Sequence, residues 1–130
     1  MPISFREDSG CAVLELRGSY TAVEAHQVLV HGLATFHDGP PRGLIVDVSQ
    51  SAMLANRPTP DIVRAAQGLG VLGDRFSRRM GIVAPSTLAF GLMRMGGFHA
   101  EHAGLAVRVC QTYESARNWV LRSGGTAEAD

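Results

Sequence analysis

GLIVDVS, residues 43–49, carries Leu44, Ile45, Val46 and Val48 with a single charge, Asp47. A strand with one wet face alternates apolar and polar side chains. This run does not, so it reads as a strand of a parallel sheet, buried on both faces and closed by its acid. Downstream, MGIVA (80–84) reads as a second buried strand and LAVRVC (105–110) as the last one. Helix signals fill the gaps. Thr59-Pro60-Asp61 offers a cap, a proline at the first helical position and an acid in the first turn, and the helix it starts would bury Ile62, Ala65, Ala66, Leu69 and Leu72. The stretch VAPSTLAFGLMRMGGF (83–98) leaves its strand and becomes a helix capped by Ser86. Thr112 caps a final helix, TYESARNWVLR, placed to bury Tyr113, Ala116 and Val120.

Upstream, ISFRE and CAVLELRG alternate and are separated by DSG, a turn signal, so they form an antiparallel hairpin. Thr21-Ala-Val-Glu24 is a capping box. The helix behind it runs to about Phe36, with Ala22, Ala25, Leu29, Leu33 and Phe36 on one face and Glu24, Gln27, His31 and Thr35 on the other. DGPPRG ends it, SQSAMLANRP is a loop, and GDRFSRR turns the chain. The expected order is β-β-α-β-α-β-α-β-α, an α/β sandwich with a mixed, mostly parallel sheet and four helices. Residues 1–122 are expected to form one domain, and SGGTAEAD (123–130) a disordered tail.

Lys plus Arg equals Asp plus Glu at 12 each, so electrostatics gives no case for nucleic acid or an anionic membrane as partner. The chain is 45% apolar, enough for a core without staples. Cys11 and Cys110 lie in apolar strands and read as reduced thiols, which points to the cytoplasm. No apolar run reaches membrane-spanning length.

Ligands and partners of open α/β sheets meet the carboxyl ends of the strands. Two segments leave those ends. The loop after Asp47 carries Ser49, Ser51, Met53 and Leu54; the start of the next helix carries Ser86 and Thr87, with free backbone N–H groups that suit an anion. That helix is oily on a second side. Leu88, Leu92, Met95 and His99 form the stripe expected to face the sheet, whereas Phe90, Met93 and Arg94 lie opposite, with Gly97 and Glu101. Phe90 and Met93 are then surplus to the core and fit a contact surface, with Arg94 orienting it.

Enzyme chemistry is not visible. His99 and His102 are two imidazoles without further ligands, so neither a metal nor a cofactor is expected. There is no Gly-x-Ser-x-Gly elbow, no Cys–His nucleophile pair and no pair of carboxylates. A receiver-type domain would carry an acidic cluster after its first strand, where this chain has Arg17-Gly-Ser-Tyr20. Arg75, Arg78 and Arg79 read as a small solvated basic turn.

GLIVDVS, VAPSTLAFGLMRM and VRVCQTYESARNWVL together resemble STAS domains, the fold of bacterial anti-sigma factor antagonists, and in particular the SpoIIAA-like branch often labelled STAS/SEC14-like. The resemblance spans roughly residues 3 to 122. In that branch a Val-Ala-Pro-Ser segment precedes an aromatic–Gly pair and an Arg–Met pair, here Val83-Ala84-Pro85-Ser86, Phe90-Gly91 and Arg94-Met95. A closing helix with Ala and Trp is also typical, here Ala116 and Trp119. Signalling STAS proteins bind a switch kinase or scaffold and are phosphorylated in an Asp-Ser-Ser/Thr-Gly motif at the start of the second helix. Asp47 matches the acid that closes the third strand. The acceptor motif is missing from the corresponding segment, Ala55 to Asp61, where Thr59 reads as a helix cap.

These readings give a non-catalytic interaction module of bacterial regulation, without a phosphoacceptor motif. Its partner is a protein or a second copy of the chain, met by Asp47, Ser49, Ser51, Met53, Leu54, Ser86, Thr87, Phe90, Met93 and Arg94. The alternative is a carrier for a small apolar or anionic ligand, a lipid or a nucleotide, lined by the same loop and helix.

Overall fold

The computed structural model describes residues 3–18, 20–36, 39–51, 67–85, 91, 93–94 and 100–122. β1 (Ile3–Asp8) and β2 (Cys11–Gly18) form the expected hairpin. Its turn needs two left-handed residues, Ser9 (φ 55°) and Gly10 (φ 85°). α1 (Ala22–Leu33) starts on the expected capping box: Thr21 Oγ1 accepts from the Glu24 N–H at 3.1 Å, and the Glu24 carboxylate accepts from the Thr21 N–H at 2.9 Å. β3 (Leu44–Ser51) follows, then α2, described over 67–71, and a 3-10 turn at Gly73–Phe76. β4 (Arg79–Val83), α3 (described at 91, 93–94 and 100–102), β5 (Ala106–Cys110) and α4 (Tyr113–Leu121) complete the order.

The sheet runs β1-β2-β3-β4-β5, with β1 antiparallel to β2 and every later pair parallel. Each crossover therefore moves one strand in the same direction. Right-handed connections then place α1, α2 and α3 on one face. Residues from this layer (Leu29, Leu33, Leu72, Ala100) pack with Ala12, Leu14, Leu44, Val46, Met80 and Ile82 of the strands and with Phe76. Among the described residues α4 alone covers the other face, where Ala116, Trp119 and Val120 meet Cys11, Val13, Ile45, Val83 and Cys110.

Several details depart from the sequence reading. α1 stops at Leu33, although Phe36 still packs edge-on to Phe5, with ring centroids 6.3 Å apart. β3 continues two residues past the apolar run. In the segment 73–79 Arg75 and Arg78 are exposed, as expected of a solvated basic turn, but Phe76 is fully buried, Arg79 is half-buried and opens β4, and Arg78 bonds Asp74 at 2.7 Å. Tyr113 is only half-buried, and Trp119 takes the buried position on α4. The helix start at Thr59 and the tail 123–130 lie outside the described residues.

Candidate functional site

The parallel register of β2 on β3 slips once. Glu15 pairs with Asp47, but Arg17 pairs with Gln50, so β3 carries one extra residue opposite Leu16. Such a bulge leaves a backbone N–H outside the ladder, and bulges cluster where a strand end is re-aimed for function. Asp47 supplies the missing acceptor. Its Oδ1 takes the Ser49 N–H at 2.9 Å and the Ser49 hydroxyl at 2.5 Å. The carboxylate thus fixes the bulge and presents an exposed Ser49 at the carboxyl end of the sheet.

Strand alternation settles which side these groups occupy. Val46 and Val48 belong to the core beneath α1–α3 and Ile45 to the core beneath α4, so Asp47 projects on the α4 side, with Ser49 bonded to it. Glu15, its register partner, lies in the same row. Two carboxylates are therefore neighbours after all, through a pairing that no spacing within one segment reveals. Glu15 is held by the Ser4 hydroxyl at 3.3 Å, Arg6 at 3.7 Å and Arg17 at 3.9 Å. These partners anchor it as a strand-to-strand tie.

Met93 and Arg94 sit elsewhere. Met93 is half-buried and packs against the core beneath α1–α3, not on a free outer stripe; its thioether is flexible enough to fold back onto that core. Arg94 beside it is exposed. The structure thus brings Asp47 and Ser49 together but places Met93 in the opposite layer. The backbone of Ser51 ends β3, whereas Met53, Leu54, Ser86, Thr87 and Phe90 lie outside the described residues.

The groups with displaced acid–base behaviour form a different cluster, one that sequence reasoning missed. Tyr113 Oη donates to Asp8 Oδ2 at 2.5 Å, Arg117 approaches the same oxygen at 3.7 Å, and Arg6 lies 5.1 Å from the centre of the Tyr113 ring. The Tyr113 hydroxyl, then that of Ser9, hold Asp8 below the usual carboxylate range, with Arg117 and Arg6 adding to this. Burial, then the bond to Asp8, pushes Tyr113 up to about 12. Arg79 stacks 4.3 Å over the Trp119 ring and donates to the carbonyls of Trp119 (2.6 Å) and Val120 (3.3 Å), while Arg42 donates to that of Leu121 (2.9 Å). Both clusters fasten α4 to the sheet. The i, i+4 spacing of Tyr113 and Arg117 was the one available signal; Asp8 and Arg79 come from distant segments. Burial raises both thiols, Cys11 and Cys110, which are free. Among the described residues no group of three or more His, Cys, Asp or Glu could hold a metal.

No family model matches the chain, and no curated protein matches it. Among solved structures it is similar to an uncharacterized protein of the DUF3478 family from Shewanella loihica PV-4, which has a SpoIIAA-like fold. The two share 14% identity over 91% of each chain, with a TM-score of 0.59. Among the described residues no helix is long and apolar enough to cross a membrane. Strand order, the three-helix layer and the lone α4 on the far face together make this a SpoIIAA-like fold.

Proposed function

We propose that the chain is a non-catalytic, STAS-like protein-interaction module of bacterial regulation, working in the cytoplasm and binding at the carboxyl end of its sheet. The observation that carries this reading is the bulge at Asp47–Ser49. A strand end is re-aimed there and held by a buttressing carboxylate, in a place where neither group is needed to close a core. Asp47 is spent on Ser49, and the strongly displaced groups are spent on α4, so the described residues support recognition better than turnover.

The contact surface runs over the rim of the sheet from Asp47, Ser49 and Ser51 to the exposed Arg94. Met53, Leu54, Ser86, Thr87 and Phe90 join it on the strength of their place in the sequence. Met93 anchors α3 beneath this surface and orients Arg94. The partner is a protein, with a second copy of this chain as the simplest choice.

Light scattering with native mass spectrometry tests the reading. The expected result is a dimer that Phe90→Asp or Arg94→Glu dissociates while the circular dichroism spectrum is kept. A monomer that carries extra small-molecule mass would replace this reading with a ligand carrier for a lipid or nucleotide. Unfolding by Phe90→Asp would show that Phe90 belongs to the core and remove it from the surface.

A further inference from the structure

The amino-terminal end of the sheet, away from the surface just proposed, carries a buried donor that the core does not use. Trp119 is 3% exposed, and its Nε1 is buried with no hydrogen-bond partner. The half-buried Arg79 lays its guanidinium 4.3 Å over the same ring. Arg79 opens β4 and shares a row on the α4 side of the sheet with Ala106, its register partner on β5. Ala106 packs on this cluster with a methyl group alone, so no long side chain fills the row beside Arg79.

The side-chain groups offered here are donors. Arg79 gives Nε and Nη2, which share one edge of the guanidinium, to the carbonyls of Val120 at 3.3 Å and Trp119 at 2.6 Å. Nη1, at the far corner, makes no bond among the described residues, and no carboxylate among them pairs with Arg79. Burial, then repulsion from Arg122, lowers the Arg79 pKa, and no acid offsets them. The next side chain of β5 on this face, Arg108, is also basic.

Buried donors without an acceptor are rare in native proteins and call for a water, an ion or a ligand. A half-buried cation without a counter-ion beside such a donor narrows the choice to an anion. The ring N–H leaves along the edge of the indole, whereas the guanidinium lies over its face. A single atom such as chloride cannot meet both along their axes; two oxygens on one carbon can. The carbonyl end of α4 disfavours an anion, but its carbonyls lie on the Nε and Nη2 edge, on the other side of the guanidinium from Nη1.

We infer that Trp119 Nε1 and Arg79 Nη1 form a binding site for a carboxylate, one oxygen to each nitrogen, where β4 begins and α4 ends. The carboxylate belongs either to a small free acid or to the chain itself, whose sequence carries Glu128 and Asp130 shortly after α4. The site does not depend on the surface at the carboxyl end.

Trp119 is the only tryptophan, so one indole cross-peak in a proton–nitrogen correlation spectrum of the full, isotopically labelled chain reports on this site alone. Sodium acetate is titrated in against sodium chloride at fixed ionic strength. The expected result is a saturable downfield shift of the indole proton with acetate and none with chloride. Arg79→Lys keeps the charge but loses the fork and should weaken acetate binding about fivefold. Trp119→Phe keeps a ring in the core and removes the N–H. It should weaken binding about tenfold, read as a smaller rise of melting temperature with acetate. Both variants are first checked for the wild-type circular dichroism spectrum. Glu128→Gln with Asp130→Asn separates the sources. Unchanged acetate affinity assigns the site to a free acid; tighter binding, or binding seen only in this variant, assigns it to the chain's own acids, and either result supports the site. No saturable shift in either chain, an equal shift with chloride, or an affinity that Arg79→Lys leaves unchanged overturns it. Saturable binding of phosphate but not of acetate overturns the carboxylate as ligand.

Discussion

The two faces of the sheet are covered by different means. On one face three helices bury long side chains, with Leu29, Leu44, Met80 and Phe76 all at 2% exposure or less. On the other, among the described residues, a single nine-residue helix does the work. It succeeds by coming very close. A Cβ placed on Gly43 would stand 2.4 Å from Val120 Cγ1, and one on Gly81 would stand 3.1 Å from Val120 Cγ2 and 3.3 Å from Ala116 Cβ. Polar clamps then hold both ends of α4, Asp8 with Tyr113 and Arg117 near the start, Arg42 and Arg79 at the finish. The three-helix layer has close approaches of its own, at Gly32 on Phe5 and Gly70 on Ala103, but adds apolar volume to them. A lone short helix also needs a flat floor and fastenings.

The largest effect expected from this contrast is a difference in how the two faces fail. Phe76→Ala and Trp119→Ala each remove a fully packed aromatic and should each cost about 3–5 kcal/mol. Phe76 sits in the layer built by most of the chain, so its loss should lower protection from hydrogen exchange throughout the sheet. Loss of Trp119 should instead expose α4 and the strands beneath it first, through partial opening, because little else covers that face. Native-state exchange followed by mass spectrometry separates the two. If both variants lose protection uniformly, the faces are one cooperative unit and the contrast fails.

A smaller effect isolates the floor. Gly43→Ala puts a methyl group against Val120 and should cost about 1–3 kcal/mol by overpacking. Val120→Ala in the same chain should recover part of that loss although it also removes buried surface, a non-additivity measurable by urea denaturation. Additive losses would mean that the close approach of α4 is not the constraint at Gly43.

The same contrast explains what could be read in advance. Strands such as GLIVDVS and the box at Thr21–Glu24 declare themselves because their signals are local: an unbroken apolar run, a cap and its acid three residues on. The order of elements and the fold followed. The β3 bulge did not, because it is a property of two strands in register, and its sequence trace, Asp47 with Ser49, looks like any loop. Arg79 looks like a surface charge in the sequence for the same reason, since its partners lie 40 and 41 residues away on α4. Helical angle alone puts Met93 on the outer side, because it ignores that a flexible thioether can bend back to the core.

The smallest effect concerns the clamp at the start of α4, and its signature is a pH dependence. Tyr113→Phe removes the hydroxyl that bonds Asp8. Asp8 is depressed in the folded chain below its ordinary 3.8, chiefly by that bond. The stability it adds is therefore present above pH 3.8 and lost as the pH falls through the lower, folded value. Tyr113 is raised from 10.0 to about 12. The unfolded chain ionises first on the alkaline side, so this contribution is full below pH 10 and lost between 10 and about 12. Wild type should exceed Tyr113→Phe in melting temperature across the neutral range, and the gap should close at both extremes. A constant gap would mean that the ring, shared by both variants, fastens α4 without the hydroxyl. A gap closing only in acid would assign the effect to Asp8 and its arginines, leaving the tyrosine as packing.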